Sequence, residues 1–245
     1  MPRYLRSSSN LFYREQGRWM PLLILPGNTA SSAVQAGELA YFGERYHAVA
    51  LDLPGTGRSE RIDAWPDDWW REGARGAVGL LDHLSVAQVV VMAQQALHRV
   101  RAVVADSCVT RQPPEVLRAE VASHRQRYPE AVAFWRLAHG EDWEQVVEAD
   151  SDLMLRVAKR GGRWFDRSLS EIGCPVLLTG SLQDAILHDG AAQMIEMAEQ
   201  IPESQLVLVN GGDHPLMWSR SEDFRRAVDA FLTSLRGGDG ASGDV

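Results

Sequence analysis

Two side chains in the C-terminal half of the chain could carry acid–base chemistry together. Asp184 follows the apolar run PVLLTG at 175–180, and His214 follows the run QLVLVN at 205–210. In an open α/β sheet, ligands and catalytic groups gather at the carboxyl ends of the strands, so we expect both side chains at the same edge. A buried carboxylate beside an imidazole orients the ring and stabilises its protonated form. Taken alone, such an aspartate is more often a turn or cap residue and such a histidine a surface group, but as a pair they are a candidate general base.

The elements that would position these residues alternate along the chain. Short apolar runs are followed by longer amphipathic stretches, a pattern typical of a mostly parallel sheet flanked by helices. Five runs are rich in Val, Leu and Ile with few charges, as strands buried on both faces are. They are LLIL at 22–25, AVALDL at 48–53, QVVVMA at 88–93, RAVVAD at 101–106 and PVLLTG at 175–180. LFYREQG at 11–17 and QLVLVN at 205–210 are further strand candidates, so we predict an α/β fold.

Helices are predicted between and after these strands. Residues 67–84 carry apolar side chains at helical spacing, and residues 221–237 open with a serine followed by a nearby glutamate. Residues 111–166 have helical segments and no strand signal, which predicts a helical insertion that forms a cap over the sheet. We expect one α/β domain over 1–236, followed by a Gly-rich, apolar-poor tail at 237–245 that is disordered.

Composition excludes several classes of function. The chain has 245 residues, 45% of them hydrophobic, which is enough for one domain with a real core. A formal net charge of −8 argues against nucleic acid as a partner, because phosphate backbones are bound by clustered Lys and Arg. No signal peptide or membrane span is evident, and Cys108 and Cys174 lack metal-ligand spacing. We expect a cytoplasmic protein that takes a small molecule and holds no metal or cofactor, while the sequence carries no signal for its oligomeric state.

Three stretches resemble the α/β-hydrolase superfamily, and they stand in that family's order along nearly the whole chain. LLILPGNTASS at 22–32 resembles the strand and oxyanion loop. LDLPGTGRSER at 51–61 is similar to the family's Asp-x-x-Gly-x-Gly-x-Ser turn, which we interpret as structural. TGSLQDAI at 179–186 and NGGDHPLMWS at 210–219 resemble the late segments that carry the acid and the histidine.

The resemblance implies a fold and a set of roles. It implies the α/β-hydrolase fold, with Asp184 as the acid and His214 as the general base. Gly27, Asn28 and Thr29 would form the oxyanion or substrate loop, where backbone N–H groups turn towards a developing oxyanion. An ordinary strand-to-helix turn is the alternative interpretation of this loop.

The nucleophile of that family has no counterpart in the sequence. The G-x-S-x-G elbow that would follow VVVM is absent, and aligning Ala93 with its first glycine puts Gln95, a neutral amide, at the nucleophile position. About seven residues separate VVVM from the next strand, whereas a parallel crossover with a helix needs roughly 10 to 12. The elbow and most of its helix are deleted, and we expect the sheet to be altered so that the two runs do not both keep their family positions. Pro26, where many relatives have histidine, marks a second departure.

Other residues are candidates for the missing or alternative roles. Asp106 is an alternative acid, because some relatives place theirs after this strand, and Asp213 is a less favoured one, because it adjoins the histidine. Hydroxyls and a thiol near the expected site are usually turn or core groups, but each could replace the nucleophile: Thr29, Ser31, Ser32, Ser107, Cys108 and Ser181.

Four hypotheses follow. The first is a hydrolase of a small, partly apolar ester or amide. The second is a lyase or isomerase that uses the Asp–His pair as a general base without a covalent intermediate. The third is a non-catalytic pseudo-hydrolase that binds a ligand or partner protein, and the fourth is the product of a damaged gene.

Overall fold

The structure is a computed structural model, which describes residues 3–6, 9–92, 99–164 and 167–237. The chain forms two compact units, and the strand Val100–Asp106 has residues in both of them. Met1–Ala102 and Arg111–Trp164 make up the first unit, and Val103–Thr110 and Phe165–Val245 make up the second. Of the predicted disordered tail, Gly237 ends a helix, and residues 238–245 lie outside the described residues.

The sheet of the first unit combines an antiparallel edge with parallel inner strands. Its strands are β1 (Arg3–Arg6), β2 (Ser9–Gln16), β3 (Pro21–Ile24), β4 (His47–Leu51), β5 (Val89–Met92) and the start of β6 (Val100–Asp106). They lie in the order β1-β2-β4-β3-β5-β6. The pairs β1–β2 and β2–β4 are antiparallel, whereas β4–β3 and β3–β5 are parallel. Sequence patterns predict all of these strands except β1, whose four residues, RYLR, are too short and too basic for an apolar run to be visible.

The sheet differs from the sequence prediction where the crossover is shortened. We expected the VVVM and RAVVAD runs not to keep both of their family positions. The structure corrects this: β5 and β6 are neighbours in the sheet, and the Val89 N–H donates to the Arg99 carbonyl at 3.3 Å. The expected nucleophile position, Gln95, is one of residues 93–98, which lie outside the described residues.

The described residues of the first unit also form five helices. They are α1 (Ala36–Gly43), α2 (Trp69–His83), α3 (Pro114–Gln126), α4 (Pro129–His139) and α5 (Trp143–Lys159). The last three occupy the stretch that the sequence predicts to be helical and free of strands. One apolar core joins sheet and helices, with Leu23 and Val91 from the strands, Leu80 from α2, Leu117 from α3 and Leu153 from α5. Helices α3 and α5 therefore share the core of this unit.

The second unit contains two further parallel strands. The rest of β6 pairs with β7 (Val176–Ser181), and β7 pairs with β8 (Ser204–Val209), in the order β6-β7-β8. Its helices are α6 (Gly190–Gln200), α7 (Leu216–Ser219) and α8 (Ser221–Gly237). Among the described residues, no helix has the length and apolar character needed to cross a membrane.

Helix α5 buries a carboxyl group that no described side chain or backbone group satisfies. Asp150 is fully buried, and neither of its oxygens accepts a hydrogen bond from the described residues. Burial, with the nearby charge of Glu120 as a second cause, raises the pKa of Asp150 well above its usual value. The folded protein therefore holds this proton more tightly than the unfolded chain does.

We predict that Asp150→Asn removes a pH-dependent loss of stability. The group's contribution is fully present below the unfolded pKa, and it is lost as the pH rises from there through the folded pKa. In that window the wild type should lose up to about 1.4 kcal/mol of unfolding free energy per pH unit relative to the variant. Urea unfolding between pH 5 and pH 8 measures the difference, with Asp152→Asn, an exposed site on the same helix, as the control. Parallel curves for wild type and Asp150→Asn would contradict the prediction.

Candidate active site

The predicted acid and histidine lie together in the second unit. Because β7 and β8 are parallel, the loops that follow them leave the same edge of the sheet. His214 Nδ1 lies 2.8 Å from Asp184 Oδ2, a hydrogen-bonding distance. The side chain of Asp184 is 2% exposed, whereas that of His214 is 26% exposed. The carboxylate is thus enclosed, while the imidazole reaches solvent.

Local hydrogen bonds fix the carboxylate of Asp184. Its Oδ1 accepts the N–H groups of Ile186 at 3.0 Å and Leu187 at 3.1 Å. Burial alone would raise the pKa of Asp184, but its hydrogen bond to His214, the charge of that ring and the two N–H groups outweigh burial and lower the pKa. An ionised carboxylate can only accept a hydrogen bond, so Nδ1 of His214 carries the proton that it donates to Asp184. Nε2 is then the nitrogen that can accept a proton. Nε2 receives no hydrogen bond from any described residue of the second unit.

Side chains on β6 and β7 anchor the loop that carries His214. Asp106 is partly buried and accepts from the hydroxyl of Thr179 at 2.7 Å and from the N–H of Met217 at 3.0 Å. The Ser107 hydroxyl oxygen accepts the N–H of Leu216 at 2.9 Å. These bonds tie the residues just after the histidine to the carboxyl end of β6.

Neither alternative carboxylate contacts the imidazole of His214 through a hydrogen bond. Burial raises the pKa of Asp106 to about 6, even though its hydrogen bonds to Met217 and Thr179 and the charge of His214 lower it. Both of its oxygens are already used by the bonds described above. Asp213 accepts the backbone N–H of His214 at 2.8 Å and is itself exposed. The geometry selects Asp184 as the partner of the ring.

The candidate replacement nucleophiles of the second unit are already used in structural contacts. Ser107 Oγ holds Leu216, as described. The Ser181 hydroxyl contacts the carbonyls of Gly211 and Gly212 at 3.2 and 3.1 Å. Cys108 is buried, and burial, reinforced by the charge of Asp106, raises its pKa to about 12. A thiol that holds its proton so tightly is a poor nucleophile at neutral pH.

The predicted oxyanion loop lies in the first unit and forms a tight turn after β3. The Ala30 N–H donates to the Gly27 carbonyl at 3.2 Å, and Thr29 has a left-handed backbone with φ of 51°. Asn28 Oδ1 accepts the indole N–H of Trp70 at 3.2 Å, which directs the amide nitrogen of Asn28 away from that ring. The loop's turn and the orientation of Asn28 are thereby defined.

Hydroxyls just after this loop are engaged as well. Ser31 Oγ donates to the carbonyl of Ala138 at 2.6 Å, and Ser32 Oγ accepts from the guanidinium of Arg14 at 3.2 Å. Both serines are fully buried. Neither hydroxyl is therefore available to attack a substrate without first losing a buried hydrogen bond.

The Asp-x-x-Gly-x-Gly-x-Ser turn has the structural geometry that we inferred from the sequence. The carboxylate of Asp52 accepts the N–H of Ser32 at 2.6 Å and that of Arg58 at 2.7 Å. Gly57 has φ of +52°, and a Cβ there would lie 2.1 Å from Asp52 Oδ2, so only glycine fits. Through these bonds the carboxylate ties the residues just after the predicted oxyanion loop to the end of β4.

His139, at the end of α4, was not identified from the sequence. Its ring accepts the N–H of Gly57 and contacts the carbonyl of Thr29, which lie 82 and 110 residues away in the chain. A histidine near a helix end gives no sign of contacts at such separations. The only available hint was its place at the end of a predicted helical segment.

Comparison with known proteins supports the fold. No family model matches the chain. The curated (E)-2-((N-methylformamido)methylene)succinate hydrolase of Acinetobacter baylyi is 22% identical, over 93% of this chain and 96% of that protein. A solved carboxylesterase of Nitrososphaera gargenis matches with a TM-score of 0.74 at 15% identity, over 97% of this chain and 100% of that one. A thermophilic esterase from Thermogutta terrifontis, solved with malate bound, matches with a TM-score of 0.72 at 18% identity, over 93% and 94%.

This chain has the α/β-hydrolase fold. The strand orders of both units and the Asp184–His214 contact belong to that fold's pattern, as the sequence motifs predicted. At identities this low, the similarity establishes the α/β-hydrolase fold and leaves the activity to be argued from the site.

Proposed function

We propose that this protein hydrolyses a small, partly apolar ester or amide, with the Asp184–His214 pair as general base acting on a water molecule. The observation that carries the proposal is the 2.8 Å contact between His214 Nδ1 and the enclosed carboxylate of Asp184. The side chain of His214 is partly exposed, and its Nε2 is the ring nitrogen that can accept a proton. A positioned general base of this kind contributes typically 10²- to 10⁴-fold to a rate.

Water is the proposed nucleophile because five of the six candidate groups named above are engaged elsewhere or hold their proton. Ser107, Ser181, Ser31 and Ser32 each make a hydrogen bond within their own unit, and Cys108 keeps its proton. As the base removes a proton from water, the oxygen attacks the carbonyl carbon, and the protonated His214 then donates that proton to the leaving group. Asp184 stabilises the imidazolium between these two steps.

The proposed substrate class follows from the surface beside the pair and from the relatives. Three large apolar side chains near Asp184 and His214 in the sequence are exposed: Leu182 and Ile186 on the loop after β7, and Trp218 on α7. Exposed apolar groups beside a catalytic pair favour a substrate with an apolar portion. The relatives described above are a hydrolase and esterases by name, which supports an ester or amide bond as the target.

We further propose roles for the segments of the first unit. The loop of Gly27, Asn28 and Thr29 would supply hydrogen-bond donors to the developing oxyanion. The amide of Asn28 would take the role of the histidine that many relatives have at the position of Pro26. Helices α3 to α5 would act as the cap that limits substrate size. Both roles rest on the resemblance to the family.

Turnover of short-chain 4-nitrophenyl esters and anilides by the full-length protein tests the proposal. We expect hydrolysis that increases with the length of the acyl chain over two to six carbons. Release of product without consumption of water, as in an elimination or isomerisation, would favour the general-base lyase hypothesis. Tight ligand binding with no turnover would favour the pseudo-hydrolase and contradict the proposal.

A further inference from the structure

His139 is a buried imidazole with a different hydrogen bond on each nitrogen. It lies at the C-terminal end of α4 and is 4% exposed. Its Nδ1 lies 3.0 Å from the N–H of Gly57, and its Nε2 lies 2.9 Å from the carbonyl oxygen of Thr29. A backbone N–H can only donate and a carbonyl can only accept, so the ring must carry its proton on Nε2 and none on Nδ1.

Burial keeps this ring neutral. It lowers the pKa of His139 to about 4, with the Arg61 cation lowering it further, while the Thr29 bond and Asp142 act in the opposite direction. At neutral pH the imidazole therefore holds one defined tautomer. A second proton would place two donors, the Nδ1–H and the Gly57 N–H, against each other.

The last turn of α4 makes two more contacts with the same region. The carbonyl of Ala138 accepts the hydroxyl of Ser31 at 2.6 Å, and the carbonyl of His139 accepts from the guanidinium of Arg61 at 2.8 Å. Arg61 also forms an ion pair with Asp142, just beyond the helix. The helix end is thus fixed both to the oxyanion loop and to the turn after β4.

We propose that His139 is a positioning residue that holds the loop of Gly27, Asn28 and Thr29 in the conformation that binds substrate, with helix α4 as its support. The bond to Thr29 fixes the peptide plane that follows it, at a residue whose backbone is left-handed. That plane contains the N–H of Ala30, which donates to the Gly27 carbonyl and closes the turn that carries Asn28. The catalytic part of the inference rests on the proposed function, because it assigns a use to the loop in that reaction.

Two conservative variants of His139 each remove one of its two hydrogen bonds and keep the other. A glutamine amide nitrogen reaches the place of Nε2, so His139→Gln keeps the donor to Thr29 and loses the acceptor for Gly57. An asparagine oxygen reaches the place of Nδ1, so His139→Asn keeps the acceptor for Gly57 and loses the donor to Thr29. Each variant loses one hydrogen bond, so a purely structural role would affect them alike.

We expect the two variants to differ in catalysis. His139→Asn should lower kcat by about 10- to 100-fold, the usual effect of misplacing groups that face a transition state, with KM changed less. His139→Gln should stay within about threefold of the wild type. Equal losses in both variants, or no loss in either, would overturn the proposal. If His214→Ala retained activity, the proposed function would fail separately from this inference.

A spectroscopic readout tests the loop without relying on activity. The indole N–H of Trp70 donates to Asn28 and reports on the loop. Its ¹H–¹⁵N resonance, assigned with Trp70→Phe, should move in His139→Asn and stay in place in His139→Gln. An unchanged Trp70 resonance in both variants would overturn the proposal.

The wild-type protein supplies a last check that needs no variant. The imidazole ¹⁵N spectrum of His139 at pH 7 should show a protonated Nε2 and an unprotonated Nδ1. The opposite tautomer, or a charged ring, is incompatible with the hydrogen bonds and would also overturn the proposal. This result stands even if a substituted protein fails to fold.

Discussion

Replacing His214 by alanine is expected to lower kcat for ester or amide hydrolysis by about 10²- to 10⁴-fold, the range over which a positioned general base contributes. The described residues of the second unit place no other titratable side chain at hydrogen-bonding distance from Asp184 Oδ2, so no neighbour can take over the proton transfer. The side chain of His214 is partly exposed, and its removal leaves the anchors of the loop at Leu216 and Met217 intact. Steady-state kinetics with the best ester of the series measures the effect.

The matched control is His188→Ala. His188 lies on the same loop as Asp184 and is exposed, and its ring contacts the carboxylate of Asp189. Its removal should leave kcat within about twofold, as surface changes away from a site usually do. Equal losses in the two variants would show that the activity does not depend on the imidazole of His214.

Replacing Asp184 by asparagine is expected to lower kcat by about 10³- to 10⁴-fold, the effect found when the acid of a Ser-His-Asp triad is made neutral. The amide oxygen can still accept from Ile186 and Leu187, so the loop keeps its shape. Its NH₂ group, however, would face Nδ1 and force the ring's proton onto Nε2. The ring then has no lone pair directed at water and cannot act as a base.

Asp213→Asn provides the comparison for that experiment. Asp213 is next to His214 in sequence, and its Oδ1 accepts the backbone N–H of the histidine, a bond that an asparagine oxygen also makes. We expect kcat within about twofold of the wild type, since the imidazole does not use this carboxylate. A large loss in Asp213→Asn with a small one in Asp184→Asn would reverse the assignment of the acid.

The sequence predicts the positions of Asp184 and His214 because each follows an apolar run of a parallel sheet. Parallel strands bring their carboxyl ends to one edge, so two residues that are 30 positions apart meet without any further information. The sequence favours Asp184 as the acid and keeps Asp106 and Asp213 as alternatives, because the choice depends on where each side chain points after its strand. In the structure, Thr179 and Met217 take both oxygens of Asp106, which no sequence pattern indicates.

The shortened crossover shows where sequence reasoning fails. The connection between β5 and β6 is shorter than a parallel crossover usually needs, and from that we expected the two runs not to keep both of their family positions. The two strands are nevertheless neighbours in the sheet. The contacts of His139 were missed for a related reason. They join segments of the chain whose proximity depends on the whole first unit, while periodicity and motifs report only local structure.

The central feature of the proposed mechanism is hydrolysis without a covalent bond between substrate and protein. Mass spectrometry of the intact protein, quenched during turnover of a 4-nitrophenyl ester and, separately, after treatment with a fluorophosphonate, tests it. We predict an unmodified protein mass in both experiments while product accumulates. An acyl adduct that forms and decays at the rate of turnover, or a phosphonate on any serine, would contradict the non-covalent mechanism and identify the nucleophile.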